Sequence, residues 1–306
     1  MRLSQAEYRQ VEEIFHGPDG SEMMEFLSGL SVGRNASDFP DKLKAVAASM
    51  GWLKSSGDMT ELGHAVAASC REILFWQERD RKLPFADAAP WLDASYFKGR
   101  TVAEIGSGAG AVLMSIEGAK KLIGIEPMEI YRQLGAILRA RIGLADPEMM
   151  AANGEALPFE DASIDVVLSV ASHQYFDIAS VMGEISRVLK PGGEVFIVGK
   201  TFAQHFRTLP PRTLLSRAIK REGICLANTA WYSLTKRRAF PITGVNTSRP
   251  IYPTVARMRR WMSDAGIEPD RFTLPVHRHS LQRGVKLGDV AVEASEVARE
   301  AELMRA

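Results

Sequence analysis

The fold is decided by one stretch, Val102-Ala103-Glu104-Ile105-Gly106-Ser107-Gly108-Ala109-Gly110. An apolar run suited to a buried strand leads directly into three glycines at alternate positions. Glycine tolerates positive φ and carries no side chain, so the backbone N–H groups of such a turn can approach a ligand closely. The stretch therefore predicts a ligand-binding turn between a strand and a helix. Dinucleotide-binding sheets use a close variant of this spacing, and some glycine turns bind nothing.

The chain around this turn alternates short apolar runs with longer helical stretches, which is typical of βα units and a parallel sheet. We predict strands at 101–105, 121–125, 164–169 and 195–198. We predict helices at about 110–119, 128–142 and 178–189. The sequence thus predicts an α/β fold with a doubly wound, mostly parallel sheet.

The first hundred residues have helical periodicity instead, notably at Lys42–Trp52 and Glu61–Trp76. Between these helices the turn signal at 55–58 separates two short apolar pieces, as a small β-wing requires, and Thr60 can cap the second helix. The helix at 41–50 would be the one to enter a DNA groove. Its only basic residues are two lysines, whereas phosphate binding needs a basic face, so we expect no nucleic acid partner.

Several motifs follow the glycine turn in order. Glu126 closes the second predicted strand sixteen residues after Gly110, where an acid can accept hydrogen bonds from both ribose hydroxyls of a nucleoside. The other motifs are Asn153-Gly154-Glu155-Ala156-Leu157-Pro158-Phe159, Ser163-Ile164-Asp165-Val166-Val167-Leu168-Ser169 and Val188-Leu189-Lys190-Pro191-Gly192-Gly193-Glu194-Val195. This ordered series resembles the class I S-adenosylmethionine-dependent methyltransferase family over roughly residues 100 to 200.

The resemblance implies a seven-stranded sheet and S-adenosylmethionine as cofactor. Glu104 and the glycine loop would hold the amino-acid end of the cofactor, Glu126 its ribose, and Pro127 and Met128 its adenine. Asn153 would accept a hydrogen bond at the adenine edge; the family usually has Asp here, and an Asn carbonyl can accept the same bond. The implied cofactor-binding residues are Glu104, Gly106, Ser107, Gly108, Gly110, Glu126, Pro127, Met128, Asn153, Gly154, Glu155 and Ser169.

The helical N-terminal part resembles the small winged-helix domain that precedes the catalytic domain in many O-methyltransferases. This implies a winged-helix-like dimerisation domain at residues 1–85 and a methyltransferase domain at residues 86–306. We therefore expect a homodimer.

His173 follows the fourth predicted strand, at the edge where ligands meet an open parallel sheet. Many O-methyltransferases keep a histidine base at this position, whereas in other branches of the family a histidine here lines the cofactor pocket. Both interpretations stay open. His277 and His279 fall on one face of a predicted strand at 274–280, but two histidines without a third ligand make a poor metal site. We predict no metal.

Residues 201–260 hold twelve Lys or Arg against the single acid Glu222, whereas the whole chain has a net charge of +1. Most of this segment, residues 200–252, is a long excursion that we interpret as a lid or substrate cover. Arginines interleaved with aromatic residues can hold a flat or anionic substrate. The predicted substrate contacts are His205, Trp231, Tyr232 and Arg237. A solvated basic face and core aromatics of the cover are the alternatives.

The whole-chain composition is that of an ordinary globular protein, with 46% hydrophobic and 25% charged residues. It contains neither a signal core nor the roughly 18 to 20 uninterrupted apolar residues of a membrane helix, so we expect a cytoplasmic protein without a membrane partner. We predict S-adenosylmethionine-dependent O-methylation of a small metabolite. If the basic cover binds this metabolite, we expect the metabolite to be anionic. The alternatives are N- or C-methylation, a carrier-bound substrate, or tRNA methylation through the basic segment.

Overall fold

The computed structural model of the protein describes residues 1–79, 82–86, 89–143, 147–207, 218–240, 250–270, 274–276 and 279–288. His277 and several arginines of the basic segment, namely Arg212, Arg217 and Arg249, lie outside the described residues.

Residues 1–79 hold four α-helices, α1 (Gln5–His16), α2 (Gly20–Ser31), α3 (Asp41–Ser49) and α4 (Glu61–Glu78). Thr60 caps α4 as its sequence predicts, because its hydroxyl accepts a hydrogen bond of 3.0 Å from the Gly63 N–H. Within these residues the expected wing is one antiparallel bridge between Leu53 and Met59. The winged-helix assignment stays a prediction.

A mixed sheet follows, with eight strands among the described residues. They are β1 (Thr101–Ile105), β2 (Lys121–Ile125), β3 (Glu148–Met150), β4 (Ile164–Val170), β5 (Leu189–Gly199), β6 (Ile267–Pro269), β7 (Leu274–Val276) and β8 (His279–Lys286). Seven of them lie in the order β3-β2-β1-β4-β5-β8-β6, and the short β7 pairs with β8. The first five are parallel to one another, while β8 runs antiparallel to β5 and β6. The predicted α/β fold with a mostly parallel seven-stranded sheet is confirmed, with β7 as an addition.

Both faces of the sheet are covered, which explains why most residues of the central strands are apolar. On one face, strand residues such as Ile105 and Val167 pack with the helices α6 (Ile178–Val188) and α9 (Val255–Asp264). On the other face, Val102 and Phe196 belong to a cluster with apolar residues between positions 83 and 97.

The helix expected at 110–119 is absent, which corrects that prediction. A 3₁₀ turn at Leu113–Ser115 stands in its place. Helix α4 packs there instead: one apolar cluster joins α1–α4 to Ala109, Ala111 and the helix α5 (Glu129–Arg141). The Trp76 indole N–H of α4 also donates to the Ser115 hydroxyl. The N-terminal helices therefore share their core with the glycine loop.

The described part of the predicted cover contains two further helices, α7 (Phe202–Arg207) and α8 (Ala218–Thr235). Both lie beyond the carboxyl end of β5, next to the edge of the sheet that carries the glycine loop. No helix within the described residues is long and apolar enough to cross a bilayer.

Candidate cofactor site

The glycine loop begins where β1 ends and is fixed against β2. The backbone N–H groups of Gly106 and Ser107 donate to the Ile125 carbonyl at 2.8 and 3.1 Å. Gly106, Gly108 and Gly110 have φ values of +73°, +54° and +81°, which residues with a side chain rarely adopt. The alternate glycines are therefore required by this turn.

Glu126 connects the end of β2 to the glycine loop. One carboxylate oxygen accepts from the Gly108 N–H at 3.1 Å, and the other accepts from the Met128 N–H at 2.9 Å. The side chain is buried, and removal from water raises the pKa of the carboxyl, an effect that the two N–H donors oppose. Glu126 is thus held in place with lone pairs still able to accept hydrogen bonds.

Two buried polar atoms in the same region have no hydrogen-bond partner among the described residues. They are Oε2 of Glu104, at the end of β1, and the Ser107 hydroxyl oxygen. Burial is the main cause of a pKa well above the usual range for Glu104, and the charges of Glu72 and Glu126 raise it further. Unsatisfied buried polar atoms are costly, so both atoms point to a bound group that completes their hydrogen bonds.

Glu72 of α4 is a site residue that the sequence analysis missed. Its carboxylate accepts from the N–H groups of Ala109 and Ala111 at 2.9 and 3.0 Å. The side chain as a whole is partly exposed, yet removal of the carboxyl from water is the largest cause of a pKa of about 7, and the charge of Glu126 also raises it. An acid from the N-terminal helices thus completes the glycine loop.

Arg139 of α5, also missed, holds the loop from another side. Its guanidinium is buried and donates to the Ala109 carbonyl.

A signal for Glu72 is present in the sequence. Glu72 lies in one helical stripe with Ala65, Ser69 and Trp76, and these three residues are buried. An acid in such a stripe needs a polar partner inside the protein.

The remaining predicted cofactor residues surround this loop unequally. Gly154 is buried, and a side chain there would collide with Ile105 of β1, whereas Asn153 and Glu155 are exposed. Ser169, at the end of β4, lies 3.0 Å from the hydroxyl of Ser172, which donates to the Ile105 carbonyl at 2.8 Å.

The adenine-side pair is also divided between surface and interior. Pro127 is exposed, and Met128 is partly buried against the cluster shared by the N-terminal helices and α5.

Comparison with known proteins now identifies the central part of the chain. Its residues 103–197 match the family model described as a methyltransferase domain. Residues 103–197 are a methyltransferase domain. Its strand order and glycine loop are those of class I, and its cofactor is S-adenosylmethionine.

Curated relatives match the methyltransferase domain over part of their length. The chain is 32% identical over 117 residues to a sterol 4-C-methyltransferase of Caenorhabditis elegans, which is 35% of each protein. It is 32% identical over 96 residues to a phthiotriol/phenolphthiotriol dimycocerosates methyltransferase of Mycobacterium ulcerans, covering 31% of this chain and 35% of that protein. The chain therefore spans about a third of the length of these relatives.

A solved structure with a similar arrangement is geranyl diphosphate C-methyltransferase of Streptomyces coelicolor. The sequences are 13% identical, and the match covers 66% of this chain and 79% of the other with a TM-score of 0.46.

The residues around the glycine loop of the methyltransferase domain fit S-adenosylmethionine chemically. The cofactor carries a sulfonium, an ammonium, a carboxylate and two ribose hydroxyls, and the loop is surrounded by the carboxyls of Glu72, Glu104 and Glu126. Glu104 Oε2 and the Ser107 hydroxyl have no protein partner among the described residues, so they are available to such a ligand.

His173 lies in a 3₁₀ turn just beyond β4 of the methyltransferase domain and is buried. Its imidazole fills the space above Gly199 of β5, since a side chain there would come within 2.0 Å of the ring. Burial lowers the pKa of His173 to about 4, although a hydrogen bond with the Lys200 backbone opposes the shift. The ring is therefore neutral at pH 7.

The predicted substrate contacts separate into different environments. His205 is buried, hydrogen-bonds Glu222 at 2.7 Å and stacks on Tyr252. Tyr232 is fully buried, and its hydroxyl donates to Asp177. Trp231 and Arg237, by contrast, are exposed on the outside of the cover.

Proposed function

We propose that this protein transfers a methyl group from S-adenosylmethionine to a small-molecule acceptor. The observation that carries the proposal is the group of carboxyls from Glu72, Glu104 and Glu126 at one glycine loop, with an oxygen of Glu104 that has no partner among the described residues. Buried carboxyls close together raise one another's pKa, and a positively charged ligand relieves this cost. S-adenosylmethionine, with its sulfonium and ammonium, is such a ligand.

In this proposal each part of the site has a separate task. Glu126 binds the ribose, Glu104 and Ser107 bind the amino-acid end, and Gly154 with Asn153 approaches the adenine. The cofactor supplies a methyl group on a sulfonium, which a nucleophile displaces in line. The protein must therefore align the acceptor and exclude water, which is the task we assign to the cover.

We propose O-methylation as the reaction, with His173 as the base. A neutral imidazole can accept the proton of a hydroxyl, and burial keeps His173 neutral at physiological pH, while the same lowered pKa makes it a weaker base than a free imidazole. Its position beyond β4 is at the carboxyl edge of the sheet, where ligands of such folds bind. Within the cover, the buried His205–Glu222 pair is the better placed of the predicted substrate contacts, because Trp231 and Arg237 point outward.

C-methylation of an apolar acceptor is the second candidate. Similarity to a sterol 4-C-methyltransferase favours it. A carbon acceptor that is already activated needs less help from a base, so substitution of His173 distinguishes the two reactions.

We also propose that the protein is a cytoplasmic homodimer that uses residues 1–85 for self-association. Light scattering of the full chain over a range of concentrations tests this assembly, and a monomer at all of them removes it.

Calorimetry with S-adenosylmethionine and S-adenosylhomocysteine tests the proposed function at its first step. We expect both to bind the full chain, and Glu126→Gln to weaken both while the exposed Glu78→Gln binds like the wild type. Methyl transfer to a metabolite extract is then followed with a labelled methyl group. If neither compound binds, the proposed function is wrong.

A further inference from the structure

Helix α8 exposes an apolar side to solvent. Leu226, Trp231 and Leu234 are 44%, 51% and 80% exposed. Gly223, Ala227 and Ala230 are also exposed and lie on the same side of the helix. We call these residues the outer face of α8: Gly223, Leu226, Ala227, Ala230, Trp231 and Leu234. A helix on the surface of a globular protein normally turns such a stripe toward the core.

The inner side of α8 carries hydrogen-bonded polar residues beside the buried Cys225 and Tyr232. Glu222 bonds to His205 at 2.7 Å, and Asn228 accepts from the Ala239 N–H at 3.0 Å. The Thr229 hydroxyl accepts from the Tyr252 N–H at 3.1 Å. These bonds fix the rotation of α8, so the apolar side cannot turn inward without leaving buried polar groups unpaired.

The outer face of α8 is uncharged, and two exposed cations follow it in the chain. Residues 223–235 contain no charged side chain, and the exposed cations Lys236 and Arg237 follow directly. Arg238 is instead held inside by the carbonyls of Gln174 and Phe176. Helices that lie in a bilayer interface bury an apolar side with Trp or Leu, and cations beside it attract anionic lipid; the outer face of α8 with Lys236 and Arg237 offers both.

A second copy of the chain fits the outer face poorly. A symmetric dimer brings the same patch of each subunit together, and residues 201–260 carry twelve Lys or Arg against one acid. Self-association through the outer face of α8 would bring together the exposed cations Lys236 and Arg237 that follow it in each copy. Anionic lipid attracts the same cations.

We propose that the outer face of α8, with Lys236 and Arg237, docks on the surface of an anionic lipid bilayer. The sequence predicts no membrane partner because it has no segment that could span a bilayer. A helix that lies in the bilayer interface does not need a spanning segment. The docking does not depend on methyl transfer. Arg238 connects the cover to the turn that contains His173. If the proposed function also holds, docking therefore brings the site to a surface that can supply a lipid-like acceptor.

The test is vesicle flotation of the full chain without cofactor. Vesicles of phosphatidylcholine alone are compared with vesicles that also contain phosphatidylserine, at low and at high salt. We expect binding to the anionic vesicles that weakens in high salt, with a blue shift of tryptophan fluorescence that Trp231→Phe largely removes. Leu234→Gln should raise the lipid concentration for half-binding by about fivefold to tenfold, and Lys236→Glu with Arg237→Glu by about tenfold or more.

Matched controls are exposed residues elsewhere on the protein. Val32 is 58% exposed at the end of α2, and Lys54 is exposed in the turn between α3 and α4. Val32→Gln and Lys54→Glu should bind anionic vesicles like the wild type. Thermal unfolding should show that all variants fold.

Three results would overturn the proposal. The first is a wild-type chain that does not float with anionic vesicles at low salt. The second is variants of α8 that bind as tightly as the controls. The third is a wild-type chain that does not bind vesicles but has the mass of an oligomer in light scattering, which Leu234→Gln reduces. A second copy of the chain would then cover the outer face of α8. Binding of S-adenosylmethionine, measured separately, shows whether the cofactor site is intact in each case.

Discussion

Replacement of Glu72 by Gln should change how the stability of the protein depends on pH. Gln has the same length, but its single carbonyl oxygen can accept from only one of the two N–H groups, of Ala109 or Ala111, that Glu72 now satisfies. Its amide N–H₂ would face the other. Loss of one hydrogen bond to a charged or buried group costs about 1 to 3 kcal/mol.

The pH dependence follows from the pKa of Glu72, which burial raises from 4.5 to about 7. Between these two values the folded protein binds a proton that the unfolded chain has lost, so stability decreases as pH rises through this window. The full shift corresponds to about 3 kcal/mol, and water access to the partly exposed side chain reduces this, so we expect about 1 to 3 kcal/mol. Gln does not titrate. Because the charge of Glu72 raises the pKa of Glu104, Glu72→Gln also lowers the pKa of Glu104.

Urea unfolding of the cofactor-free protein between about pH 5 and pH 8 measures the effect. The wild type should lose stability across this range, whereas Glu72→Gln should lose markedly less. Glu78→Gln, at the exposed end of the same helix, is the matched control and should follow the wild type. Parallel curves for the wild type and Glu72→Gln would show that Glu72 is ionised with an ordinary pKa, and our account of the loop would be wrong.

Three further predictions concern the proposed site. Glu126→Ala should weaken S-adenosylmethionine binding tenfold or more in calorimetry, because two charge-assisted hydrogen bonds to the ribose are lost; undiminished affinity would remove Glu126 from the site. His173→Gln should lower the turnover of a hydroxyl acceptor by about 10² to 10⁴ with little change in cofactor affinity. Since the pKa of His173 is lowered to about 4, the wild-type rate should stay level from neutral pH down to mildly acidic pH, and a fall centred near 6.5 would contradict the buried position. Because Arg237 is exposed on the outside of the cover, Arg237→Glu should leave the KM for a small anionic acceptor unchanged, and a raised KM that recovers in high salt would place Arg237 at the substrate.

The sequence was sufficient where structure depends on neighbours in the chain. The predicted bounds of β1 and β2 agree with the structure, because a buried parallel strand is a short apolar run with turn residues at both ends. Glu126 could be placed at the end of β2 for the same reason.

The sequence was insufficient where segments distant in the chain bind the same backbone N–H groups. A helix after the glycine loop was expected, but Ala109 and Ala111 donate their N–H groups to Glu72, which lies 37 and 39 residues away in sequence. In the cover, the sequence predicts both Trp231 and Tyr232 as substrate contacts. Adjacent residues of a helix differ in direction by about 100°, and here one is exposed and the other buried.

The core that joins α1–α4 to α5 has a consequence for synthesis of the protein. The N-terminal helices leave the ribosome before α5, whose Leu134 and Leu138 belong to the same apolar cluster and which packs on α1 and α4 in the finished fold. Fifty residues separate the end of α4 at Glu78 from the start of α5 at Glu129. At a translation rate of about 5 to 20 residues per second, the apolar residues of α1 and α4 that pack on α5 remain without this partner for several seconds. Nascent chains of this protein should therefore depend on chaperones until α5 has emerged.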